Sequence, residues 1–140
     1  MKQLTFIGLM LITLPAFAQK MDAGKVPAAV KESFTRNFPG TTAKWELEKK
    51  NYEANFKKDS HNMSATFDPA GKWMETETNV TMAALPSAAK EYINKNYSGK
   101  KIKETAEIKK ADGTVNYEAE INGMDVIFDQ QGKFIKAAKD

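Results

Sequence analysis

Asn51-Tyr52-Glu53-Ala54 returns without change as Asn116-Tyr117-Glu118-Ala119, and this recurrence constrains the fold more than any other feature of the chain. Each copy opens a run in which apolar and polar residues alternate, the period of a strand with one buried face. Each is followed by a Phe-Asp-x-x-Gly-Lys-aromatic sequence, Phe67 to Trp73 and then Phe128 to Phe134. Each is preceded by an apolar residue and a proline that open a helical pattern, Val26-Pro27 and Leu85-Pro86. The recurrence therefore defines a unit of about sixty residues used twice, spanning residues 26–78 and 85–139.

Residues 1–18 stand apart from this pattern. Lys2 supplies a positive start, Leu4 to Phe17 is an uncharged apolar run, and Ala16-Phe17-Ala18 is a small-x-small site before Gln19. That layout predicts a secretory signal peptide cleaved between Ala18 and Gln19, with a periplasmic or secreted product. The run holds 14 residues, short of the roughly 20 that a spanning helix needs. No membrane span is therefore expected once the signal is removed. The chain has no cysteine, which excludes a lipid anchor at the cleavage site, disulfides and thiolate metal centres.

The remaining 122 residues, 19–140, suit a single domain with a core of its own. Loss of Lys2 leaves 20 basic against 18 acidic residues, a net charge of +2. Lysines alternating with glutamates mark solvated faces, and with export expected they argue against a nucleic-acid partner.

In chain order, Gln19 to Lys25 reads as a frayed lead-in. Val26, Val30, Phe34 and Phe38 recur every fourth residue and form one helical stripe, with Pro27 in the first turn and Pro39-Gly40 ending the helix. From Ala43 the period falls to two. A tight turn near Lys50-Asn51 would set Leu47 opposite Ala54 and Trp45 opposite Phe56. Lys57 to Asn62 reads as a polar loop containing His61. Met63, Ala65 and Phe67 continue the inward face, and Asp68-Pro69-Ala70-Gly71 suits a type I turn. A fourth strand follows from Lys72 to Thr78.

In the second copy Leu85, Ala89, Ile93 and Tyr97 take the helical positions, and Ser98-Gly99 ends the helix. Ile102, Ala106 and Ile108 are expected inward, as are Val115, Tyr117, Ala119 and Ile121. Asn122-Gly123 is a strong hairpin signal. A two-residue turn there pairs Ile121 with Met124 and puts Met124, Val126 and Phe128 inward. The copies are offset by 59 residues at their helices, 65 at Asn-Tyr-Glu-Ala and 61 at Phe-Asp, so their hairpins differ in length. Glu104 stands in the position of Trp45, so the two cores differ there.

These patterns predict an α+β fold. Two tandem units, each a helix followed by four antiparallel strands, would form a sheet of about eight strands with both helices on one face. The other face would be open, as antiparallel sheets allow.

The tandem Val/Leu-Pro helix, Tyr-Glu-Ala strand and Phe-Asp-x-x-Gly-Lys turn, behind a signal peptide, resembles the PepSY-like, beta-lactamase-inhibitor-like family of exported bacterial proteins. The resemblance covers Val26 to Lys139. It implies a helix-plus-sheet repeat whose sheet forms a concave surface, used in similar inhibitors to hold an enzyme loop. PepSY domains are proposed to restrain peptidases. Those inhibitors contain disulfides and this chain has none to form, so no target is carried over.

Catalytic motifs are missing: no nucleophile elbow, no glycine-rich phosphate loop, and one histidine, His61, without partners at metal-ligand spacing. The chain is therefore expected to be no enzyme, with no cofactor and no metal site. Alternation places Glu46, Glu48, Glu53, Glu118, Glu120 and Asp125 on the open face. Lys44, Lys57, Lys103 and Lys109 fall among them, and Glu48 is expected opposite Glu53. Ile127 is outward and apolar. Trp73 and Phe134 occupy equivalent places: outward as anchors if Met74 and Ile135 point inward, or in the core if the turn adds a bulge. The candidate binding residues are Trp73, Phe134, Glu53, Glu118 and Ile127. The expected role is a non-enzymatic binding module for an envelope or secreted protein or peptide. The alternative is a small-molecule or divalent-ion-binding envelope protein.

Overall fold

The computed structural model describes residues 18–139, so the signal-peptide expectation falls, except for Ala18, outside the described residues. One antiparallel sheet holds nine strands in strict chain order. They are β1 (Gln19–Met21), β2 (Lys44–Glu48), β3 (Asn51–Lys58), β4 (His61–Phe67), β5 (Trp73–Asn79), β6 (Ile102–Lys110), β7 (Val115–Ile121), β8 (Met124–Phe128) and β9 (Phe134–Lys139). Helix α1 (Ala28–Asn37) precedes β2 and helix α2 (Ser87–Asn96) precedes β6, so each helix is followed by four strands. The ninth strand is the stretch expected to fray: Gln19, Lys20 and Met21 pair with Leu47, Glu46 and Trp45.

Both helices lie where their apolar stripes predict. Val26, Val30, Phe34 and Phe38 are buried against Trp45, Ala54, Phe56, Ala65 and Phe67. Leu85, Ala89 and Ile93 are buried against Ala119, Ile121, Val126 and Phe128, with Tyr97 packed alongside. The registers from β4 through β7 carry one face continuously across the sheet, so the two helices cover the same side. Pro27 and Pro86 sit one residue before their helices rather than in the first turn. Phe34 is the hub of the first core, its ring centroid 5.2 Å from Phe56, 5.5 Å from Trp45 and 5.6 Å from Phe38.

The Phe-Asp turns are built alike in both halves. One Asp68 carboxylate oxygen accepts from the N–H groups of Ala70 and Lys72, each at 2.9 Å. Asp129 does the same for Gln131 at 2.9 Å and Lys133 at 2.8 Å. Gly71 and Gly132 both have φ of +86°. A Cβ at Gly71 would lie 2.5 Å from the Ala29 carbonyl oxygen, and one at Gly132 would lie 2.8 Å from the Ala89 nitrogen. These turns thus press their backbone against the first turns of the helices, which only glycine permits.

Three local expectations need correction. The first hairpin turns at Lys49-Lys50, so Leu47 pairs with Tyr52 and Trp45 with Ala54. The shift is two residues, which leaves every side chain on its expected face. Lys57 to Asn62 is not a loop: β3 and β4 run on to a two-residue turn at Asp59-Ser60, with φ of 49° and 67°. His61 therefore begins β4, exposed, with its Nδ1 3.2 Å from the Asn79 carbonyl oxygen.

The third correction changes a face. In β6 the register skips Lys103: Ile102 pairs with Ile121, but Glu104 pairs with Glu120. One extra residue reverses the alternation beyond it. Thr105, Glu107 and Lys109 then share the helix side with Ala119, Tyr117 and Val115. Glu104, Ala106 and Ile108 turn to the face without helices. Polar residues are accommodated on the helix side here by hydrogen bonds: the Thr105 hydroxyl donates to the Val80 carbonyl oxygen, and the Tyr117 hydroxyl to Glu107 Oε2 at 3.4 Å.

Candidate functional site

The face without helices is assembled from alternate residues of successive strands. β2 and β3 contribute Glu46, Glu48, Glu53 and Asn55. β4 contributes Asn62, Ser64 and Thr66, and β5 Glu75, Glu77 and Asn79. β6 adds Glu104, Ala106 and Ile108, β7 Asn116, Glu118 and Glu120, and β8 Asp125 and Ile127. One hollow of about 410 Å³ reaches from Glu48 on β2 to Asp125 on β8. Laid flat, seven strands would separate those residues by about 29 Å. A single hollow serving all of them requires the sheet to curl around it.

Its lining is carboxylates with Asn, Ser and Thr side chains between them, and Met63 is its one apolar residue. Three apolar residues of the same face lie buried beside it. Ala106 is 1% exposed, Ile108 7% and Ile127 8%, although no helix covers them. Neighbouring side chains of the same face therefore close over them. Ile108 lies directly between Glu77 and Asn116, and Glu118 between Ala106 and Ile127.

Glu53 faces Glu46 directly, and Glu48 faces Asn51 rather than Glu53 as expected. Glu48 is the next same-face residue along β2 and still acts on Glu53. Burial, then the Glu48 charge and more weakly that of Glu46, push the Glu53 carboxyl up to about 7, against a hydrogen bond from Asn55. Burial also raises Glu77 to about 7, reinforced by Glu104, Glu53, Glu75 and Asp125 in that order. Among the described residues, neither Glu53 nor Glu77 makes a side-chain ion pair. At the far side Lys103 Nζ meets Glu120 Oε1 at 2.8 Å.

Of the five candidate binding residues, Glu53, Glu118 and Ile127 share this face. Trp73 and Phe134 do not. Each turn is followed by a bulge, so Phe67 pairs with Trp73 and Phe128 with Phe134. Both aromatics pack on the helix side, Trp73 in the first core and Phe134 in the second. The Trp73 indole N–H donates to Thr76 Oγ1 at 2.9 Å, and Phe134 stacks on Tyr92 at 4.7 Å. Met74 and Ile135 are the extra residues, 40% and 50% exposed.

Glu75, Glu77 and Glu104 were missed as face residues. The Gly71 turn chemistry is the signal that could have placed the first two, since a bulge after it fixes the parity of β5. Lys109 lies on the helix side, opposite Val115, and is no part of the acidic face. Among the described residues, no group of three or more His, Cys, Asp or Glu side chains is arranged to hold a metal ion.

A family model described as "Putative beta-lactamase-inhibitor-like, PepSY-like" matches residues 16–63 and 50–136. The chain belongs to this PepSY-like family. Solved structures share the PepSY-like fold seen here. A Bacteroides eggerthii protein described as a "putative periplasmic" protein superposes with a TM-score of 0.73 at 15% identity, covering 81% of this chain and 88% of its own. A DUF2874 family protein from Bacteroides uniformis gives 0.72 at 20% identity, with the same coverage. A BLIP-like protein from Bacteroides fragilis gives 0.67 at 19% identity, covering 81% of this chain and 86% of its own. No curated protein matches the chain. No helix among the described residues is long and apolar enough to cross a membrane.

Proposed function

We propose that this PepSY-like protein is an exported, non-enzymatic binding module that holds a segment of an envelope or secreted protein in the hollow of its sheet. The observation that carries the reading is the hollow itself, a curled face lined by carboxylates and uncharged polar side chains that no element among the described residues covers. Two copies of one helix-plus-four-strand unit, with the short β1 added, account for its construction. Their matching Asp68 and Asp129 turns support duplication. The description of the Bacteroides fragilis relative as BLIP-like agrees with an inhibitor-like use of the surface, and that of the Bacteroides eggerthii relative with export.

Photo-crosslinking tests the reading. A benzophenone side chain introduced at Thr66, on the hollow, should capture an envelope protein. The same group at Lys31, on the exposed side of α1, should not. Equal capture at both positions, or capture at Lys31 alone, would remove the hollow from consideration.

A further inference from the structure

The short strand β1 repeats a joint found in the middle of the sheet. Ala54 and Ala119 are equivalent by the Asn-Tyr-Glu-Ala recurrence and pair with Trp45 and Thr105, so Trp45, Glu46 and Leu47 match Thr105, Ala106 and Glu107. Gln19 lies opposite Leu47 and Lys20 opposite Glu46, as Thr78 lies opposite Glu107 and Asn79 opposite Ala106. Met21 faces Trp45, and the Val80 N–H reaches the Thr105 carbonyl oxygen at 2.9 Å. These correspondences are 59 residues apart, the spacing of the two helices. β1 therefore sits on β2 as the end of β5 sits on β6. It covers less: β5 runs along β6 from Glu75 to Asn79, whereas β1 spans only Trp45 to Leu47 and leaves Lys44 and Glu48 bare on that side.

We propose that β1 is a guard over a self-complementary edge, and that a second copy of this chain pairs with β2 when β1 leaves it. Two β2 strands set antiparallel about a twofold axis at Glu46 bring Lys44 of each copy opposite Glu48 of the other, and Trp45 opposite Leu47. Lys44, Glu46 and Glu48 share the open face, and Trp45 and Leu47 the helix side. Unlike charges thus meet on one face and apolar groups on the other. Only Glu46 meets its own kind.

The packing at this edge agrees. Leu47 faces the polar Gln19 and lines a depression of about 310 Å³ with Met21, Asp22 and Lys25, so β1 leaves its side chain incompletely packed. Met21 packs against the first core beside Trp45. When β1 leaves, Leu47 of the second copy fills the place that Met21 gives up. Two features keep β1 in place in the intact chain. Lys20 stands opposite Glu46, where a second copy brings another glutamate. A single helical turn, Ala23–Lys25, ties β1 close to α1 and so holds it at high effective concentration beside β2.

The test uses purified residues 19–140, with mass read by light scattering behind a sizing column and folding checked by circular dichroism. Lys20→Pro with Met21→Pro removes the ladder donor, whichever of the two neighbours points at β2. This variant should be a dimer at about 100 μM, where the unaltered protein is a monomer. Lys44→Glu added to it should restore the monomer. Adding Glu48→Lys as well, which re-forms both charge pairs in reverse, should bring the dimer back. Glu46→Gln should tighten the dimer about threefold. The chain has no cysteine, so Glu46→Cys in the same background reports the register. Oxidation should link two copies there, whereas Glu32→Cys, exposed on α1, should not link them. Lys20→Gly with Met21→Gly loosens β1 without proline and carries the same series if the proline variant unfolds.

A monomer in both β1 variants would overturn the inference. A dimer indifferent to Lys44→Glu, one not recovered by Glu48→Lys, or one linked equally through Glu32→Cys would do the same. Unfolding of both variants would also end it, since a guard must be able to leave an intact sheet.

Discussion

Trp73 stands directly across from Phe67, and Phe134 stands in the same relation to Phe128 sixty-one residues later. A bulge after each glycine turn creates both pairs, turning an aromatic inward and leaving Met74 or Ile135 outside. Trp73 is accordingly structural. Trp73→Ala should cost about 2–3 kcal/mol, less than a fully buried aromatic because the side chain is only partly buried. Chemical denaturation checks the cost. Binding at the hollow, measured well below the unfolding transition, should be unchanged.

Acid should stabilise this protein over an unusual range. The Glu53 and Glu77 carboxyls titrate near 7 when folded, against 4.5 when free. Between those values the folded chain holds protons that the unfolded chain has released, so stability falls as pH rises from about 4.5 to 7. Glu77→Gln should remove part of this penalty, raising stability at pH 8 by about 1–2 kcal/mol after allowance for solvent screening. That corresponds to about 4–8 °C in Tm. At pH 4 the gain should vanish, and calorimetry across the pH range reads both outcomes.

Gly71 and Gly99 share a positive φ, +86° and +73°, yet differ in surroundings. A Cβ at Gly71 meets the Ala29 backbone, whereas one at Gly99 meets nothing within 4 Å. Gly71→Ala should therefore cost about 3–4 kcal/mol and Gly99→Ala about 1 kcal/mol. Urea midpoints of the two variants, measured side by side, give the comparison.

Ile108 is buried on the face that the helices leave bare, beside Glu77. Ile108→Ala should destabilise by about 2 kcal/mol. It should also admit water to Glu77 and bring its titration down toward the ordinary carboxylate range. Carbon-13 NMR of the Glu77 carboxyl follows that shift directly.

The helices were legible because Val26, Val30, Phe34 and Phe38 keep a strict period, and a helix tolerates small errors in its ends. The hairpin at Asn122-Gly123 was legible because turn chemistry and hydrophobic pattern agree on pairing Ile121 with Met124. The face of β6 was not. Ile102, Ala106 and Ile108 fit an unbroken alternation, and nothing in Lys103 announces the extra residue that reverses it. Glu104 consequently looked like a core position and proved to be a wall of the hollow. Three residues at Gln19 to Met21 were too short and polar to announce a strand, because their pairing depends on the edge offered by β2.

The strands lie in the sheet in the order in which they occur in the chain. Each new ribbon needs only the one before it, with a helix at most intervening, so no stretch must wait for a distant mate or thread past a finished edge. Assembly can run as a zipper from the amino end, each joined pair serving as template for the next. Such a layout keeps sequence separation between partners small, which favours rapid refolding for a protein so rich in sheet.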